Sequence, residues 1–156
     1  MKERHHLIST IVAAIWLGSM SVIGFMAVPL LFRYLPSAAV AGNMAGQLFL
    51  AQGWVSIISI VLLLMVFRAR LRDYAMTRYE ADGQLKALDP AHKPNMLYFG
   101  VLVGGLLLTL LLVLVAAPRI QARDNLALWH GVGTFLYVAQ WLCALIAVIR
   151  LQQRRT

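Results

Sequence analysis

The chain has 156 residues, of which 61% are hydrophobic and 13% charged, and it carries a formal net charge of +8. A soluble domain usually has about 25% charged residues, so this composition excludes a soluble globular enzyme, and the hydrophilic connections are too short to hold a separate catalytic domain. The basic residues sit at the borders of apolar runs and form no aromatic-interleaved surface, which argues against a nucleic-acid partner.

Four charge-free runs, Leu7 to Phe32, Tyr34 to Phe67, Pro94 to Pro118 and Asn125 to Ile149, each exceed the roughly 20 residues that a spanning helix needs. They predict an all-α integral membrane protein, a single-domain, up-and-down four-transmembrane-helix bundle. The expected spans are about 7–35, 42–67, 95–117 and 126–149, with a connecting loop over 68–94. Eleven of the 14 basic residues flank the start of the first span, the 68–94 loop and the end of the fourth; only Arg33, Arg119 and Arg123 flank the opposite side. The positive-inside rule then places the N and C termini and the loop in the cytoplasm. The first apolar run is longer than the roughly 7–15 residues of a signal-peptide core, so it reads as a retained span.

In the first span, Pro29 removes one backbone donor and frees the carbonyl of Phe25, which predicts a kink; Leu35-Pro36-Ser37 supplies the turn that follows. The second span is expected to begin around Val40 to Asn43. Beyond Phe67 it continues as a charged helical extension through Arg70, Arg72, Tyr74 and Arg78 to a stop at Asp82-Gly83. It carries Gly42, Gly46 and Gly53 on one face, with Gln52, Ser56 and Ser59 at helical intervals, a pattern suited to close helix packing. The third span follows Lys93-Pro94 and ends at Pro118. It has a Gly100-xxx-Gly104 pair near its start and a nearly uniform Leu/Val run whose one polar side chain is Thr109, so it reads as largely lipid-facing. The fourth starts after Asp124-Asn125 as a cap and contains Trp129, His130, Gly131, Gly133, Tyr137, Gln140 and Trp141.

All six acidic residues lie outside the spans, which leaves no intramembrane carboxylate for a proton relay or cation path. Cys143 has no partner for a disulfide. An intramembrane histidine is a functional-site hypothesis, and His130 shares its expected depth with Pro29, Phe25, Gln47, Pro118 and Arg119; together they form a candidate outward-facing pocket. The plainer alternative has the imidazole donating to a carbonyl released by Pro29 or Pro118. Bis-histidine haem needs two ligands at one depth, whereas His6 and His130 are expected at opposite ends. His5, His6 and His92 form a loose imidazole cluster at best, and Met20 and Met26 do not share a helix face for copper. No nucleophile elbow, phosphate loop or HExxH occurs. The expectation is no catalytic residue and no cofactor, with haem or copper as the alternative.

Trp16-Leu17-Gly18, the stretch from Gly24 to Phe32, the stretch from Ala41 to Phe49, Ala117-Pro118-Arg119-Ile120 and Trp129-His130-Gly131-Val132-Gly133-Thr134 resemble a bacterial family of small four-span membrane proteins of unknown function. That family is similar to the eukaryotic transmembrane proteins linked to cisplatin resistance. More distantly, the span count and the Trp-x-Gly start are similar to copper-resistance protein D and to the membrane protoporphyrinogen oxidases. Gly133-Thr134 departs from the family's serine pair. The resemblance implies a multi-pass protein of the bacterial cytoplasmic membrane and no established reaction. The reading that follows is a protein acting through helix packing or assembly, as a homo-oligomer or part of a larger membrane assembly, in stress or metal tolerance. Metal or haem handling around His130 and small-solute transport are the alternatives.

Overall fold

A computed structural model describes residues 2–77 and 95–153. Among these residues the chain is all helix, with no strand: α1 (Lys2–Val22), α2 (Val28–Tyr34), α3 (Ala38–Thr77), α4 (Met96–Leu111), α5 (Ala117–Gln121) and α6 (Leu126–Gln152). Single π-helical turns, Ile23–Ala27 and Leu112–Ala116, join α1 to α2 and α4 to α5. Four helical units are long and apolar enough to cross a membrane: Glu3–Tyr34, Ala38–Met76, Met96–Gln121 and Leu126–Gln152. The protein is a multi-pass membrane protein with a four-helix bundle. The Asp82-Gly83 stop and His92 lie outside the described residues.

The two π turns have one cause. Proline lacks the N–H that would close an α-turn onto the carbonyl four residues earlier, and inside a bilayer that loss must be met within the helix. Pro29 and Pro118 each stand two residues beyond a π turn. The widened turns are closed by the Val28 amide donating to the Ile23 carbonyl and the Ala117 amide donating to the Leu112 carbonyl. The helix therefore continues through both prolines. At Pro118, where the sequence suggests a stop, the third unit runs on to Gln121.

Helix ends follow local chemistry. Asn95 starts α4, its side-chain oxygen accepting from the Leu97 and Tyr98 amides at 3.0 and 3.4 Å, and Ser37 accepts from Val40 at the start of α3. Asn125, expected to cap α6, makes no side-chain cap bond and adopts a left-handed conformation at φ 38°. Backbone bonds from Arg123 to Ile120 and from Asp124 to Arg119 hold the turn instead. At 40 residues, α3 is about 60 Å long, twice the roughly 30 Å of a hydrocarbon core.

The helices pack as a ring, α1 against α3 and α6, and α4 against α3 and α6. The interior is organised on Trp16, which is 0% exposed. Gly105 gives it room: a Cβ there would lie 2.9 Å from Trp16 Cη2. Gly53 similarly accepts Val113 and Gly24 accepts Tyr137. Contrary to the lipid-facing expectation, the third unit has a buried stripe of Tyr98, Leu102, Gly105 and Thr109. Small residues at 105 and 109 let its neighbours come close enough to cover it.

Candidate functional site

Polar side chains within the spans are concentrated on the inner faces of the helices. Trp16 Nε1 donates to Ser56 Oγ at 3.2 Å, and Gln52 Nε2 donates to Ser19 Oγ at 3.0 Å and Ser56 Oγ at 3.3 Å. On the α4–α6 side, Gln140 Nε2 donates to Thr109 Oγ1 at 2.6 Å, and Thr109 in turn donates to the Gly105 carbonyl at 2.7 Å. Trp141 Nε1 donates to Ser21 Oγ at 2.9 Å and Tyr137 donates to the Met20 carbonyl at 2.7 Å. These bonds join α1 to α3, α4 to α6 and α6 to α1. Gln52, Ser56, Thr109 and Gln140 are each at most 2% exposed, so each polar group must find its partner inside the protein. Gln52 Oε1 is buried without a hydrogen-bond partner among the described residues.

The arrangement is chemically quiet. It contains amides, hydroxyls and indoles, but no carboxylate or basic side chain able to move a proton near neutral pH. Among the described residues no three of His, Cys, Asp and Glu come together in a metal-binding group.

The residues expected around the outer pocket occupy an open surface. His130, Pro29, Phe25, Gln47, Pro118 and Arg119 are all exposed. The hydrogen bond at His130 is to its backbone, whose carbonyl accepts from Thr134 at 2.8 Å. Arg119 lies 4.6 Å over the Trp129 ring and 3.7 Å from Asp124, the arrangement of an interfacial arginine that shares its charge with neighbours. Phe25 meets Trp141 edge-on at 5.6 Å between ring centroids. His6 lies at the far end, where its Nε2 donates to the Leu151 carbonyl at 3.1 Å. His130 precedes Leu151 by 21 residues on α6, about 30 Å, so the two histidines cannot share an iron.

Of the glycines expected to pack, Gly53 abuts Val113, where an added Cβ would come within 2.5 Å of Cγ2. Gly42, Gly46, Gly100 and Gly104 have open space in the Cβ direction. The close intrachain contacts missed in the sequence are those of Gly24, Gly105 and, against Ile120, Gly133. Spacing shows which glycines share a helix face, but not which face meets a neighbour.

A family model described as a domain of unknown function, DUF4149, matches residues 11–128. The chain belongs to this family. The DUF4149 match takes in most of the first helical unit, the whole of the second and third, and Pro29 and Pro118, and it stops just before Trp129-His130. No curated protein and no solved structure matches the chain.

Proposed function

We propose that this DUF4149 protein acts without catalysis, as a packing or assembly subunit of the bacterial cytoplasmic membrane, with the termini and the 68–94 connection on the cytoplasmic side. Its partners are the lipid bilayer and other membrane helices, including further copies of itself, and it has no resident cofactor. The observation that carries this reading is the division of its small and polar residues. Buried polar residues such as Gln52, Ser56, Gln140 and Thr109 bond between helices of one chain, whereas Gly42, Gly46, Gly100 and Gly104 have open space in the Cβ direction. Small-xxx-small ledges let a second helix approach closely in lipid, where packing rather than the hydrophobic effect drives association.

The physiological setting suggested by the resemblance to cisplatin-resistance proteins and copper-resistance protein D is stress or metal tolerance. Metal or haem handling at His130 draws no comparable support, because that residue is exposed and, among the described residues, belongs to no group of three metal-ligating side chains. The test is native electrophoresis of mildly solubilised membranes. Gly46→Leu and Gly104→Leu should release the chain from its higher-mass complex, while His130→Ala leaves the complex intact. Loss of the complex only in His130→Ala would reverse the ranking.

A further inference from the structure

We infer that the outward face of α3 is where two copies of the chain pair in the membrane, the Gln47 carboxamide of each bonded to that of the other; the contact rests on the assembly reading above. Ser19 stands at the middle of the charge-free run Leu7 to Phe32, and Gln52 donates to it at 3.0 Å, so Gln52 marks the centre of the bilayer on α3. From there Gln47 is about 7.5 Å along the helix, inside the roughly 15 Å half-thickness of the hydrocarbon. Gln47 is exposed, and among the described residues its carboxamide has no hydrogen-bond partner. Gln52 and Gln140 turn inward and bond within the chain. Lipid tails offer the outward Gln47 nothing to bond.

A second copy is the occupant that the chemistry selects. Copies inserted the same way are related by an axis along the membrane normal, so each residue on the contact meets its counterpart at one depth. A carboxamide carries donors and an acceptor together, and two of them close on each other. The rest of the face suits two parallel helices. Val40, Met44, Gln47, Ala51, Trp54 and Ile58 follow in steps of four and three and are all exposed, the spacing with which such helices interlock at a shallow angle. Trp54 is 58% exposed close to the bilayer centre, whereas a lipid-facing tryptophan belongs at the membrane–water border. Its ring supplies contact area, and the small Ala51 leaves room for the opposing helix. Gly46, beside Gln47, has open space in the Cβ direction, which lets two backbones approach. One polar position within an apolar seam fixes register, and Gln47 has that place here.

Disulfide cross-linking of Met44→Cys in a Cys143→Ala background, with a membrane-permeant oxidant in isolated membranes, tests the contact. Met44 lies about one turn from Gln47 on the same face. A linked pair of twice the chain's mass is expected, while Leu128→Cys, on the exposed side of α6, stays a monomer. Gln47→Leu should weaken pairing about fivefold on dilution in detergent, and Gln47→Asn should weaken it less. No Met44→Cys pair, although native electrophoresis still shows the higher-mass complex, overturns the α3 contact and leaves the assembly reading standing. A monomer in both measurements overturns both. Equal cross-linking of Leu128→Cys, or pairing unchanged by Gln47→Leu, also overturns the contact.

Discussion

Tyr137 and Gly24 fit each other across the α1–α6 contact. The phenol donates to the Met20 carbonyl at 2.7 Å, and a Cβ on Gly24 would sit 2.7 Å from Tyr137 Cε1. Gly24 lies inside the π turn that precedes Pro29, so the widened turn and the ring occupy one place. Phe49 meets the Tyr137 ring edge-on at 5.0 Å between centroids, which leaves the ring nowhere to retreat.

Gly24→Leu should therefore overpack this contact and destabilise the bundle by about 1–3 kcal/mol. Tyr137→Phe keeps the ring but loses the bond, at about 1 kcal/mol. Unfolding by dodecyl sulfate, followed by circular dichroism, measures both; a stable Gly24→Leu chain would show that the helices do not meet here.

Gly105→Leu should be as damaging as Gly24→Leu, because Trp16 fills the space the side chain needs. Gly46→Leu and Gly104→Leu should stay within about 0.5 kcal/mol of the parent as isolated chains, since among the described residues nothing lies within 4 Å of an added Cβ at either position. The same unfolding assay on monomeric detergent fractions separates the two classes.

Ser56→Ala should cost more than Gln52→Met despite being the smaller change. Without Ser56 the buried Trp16 indole loses its acceptor, a penalty of about 1–3 kcal/mol. Without Gln52, Ser19 still donates to the Trp16 carbonyl and Ser56 still accepts from Trp16, while a buried amide oxygen with no partner is removed. Thermal melts in detergent should rank Ser56→Ala below Gln52→Met; the opposite order would mean the amide is the organising group.

Orientation is tested by labelling single cysteines in a Cys143→Ala background. Ser37→Cys and Gln121→Cys should react with an impermeant maleimide added to intact cells, and Met76→Cys should react only after lysis. The reverse pattern would invert the bundle.

Much of the architecture was legible because lipid imposes a coarse rule: long charge-free runs span, and Gln52, Ser56 and Ser59 at helical spacing turn inward, where all three are buried. Finer features depended on neighbours that one helix cannot specify. Thr109 looked like a lone polar residue on a lipid-facing helix because its partner, Gln140, comes 31 positions later. Pro118 looked like a terminator because proline breaks isolated helices, whereas a π turn upstream carries this one through. Asn95 could have been recognised as a cap from its position before an apolar run. His130 drew attention by residue type, and its exposure depends on how α6 is rotated in the bundle.

The length of α3 makes it a lever. From Trp54 to Thr77 it contains no glycine or proline, so nothing in that stretch is built to bend. It is about twice as long as a hydrocarbon core is thick, and near its middle Ser56 accepts from the Trp16 indole while Gln52 donates to Ser19 and Ser56. The same unbroken helix therefore carries both the stretch beyond Phe67 and the Ser56 hydroxyl that holds the Trp16 indole.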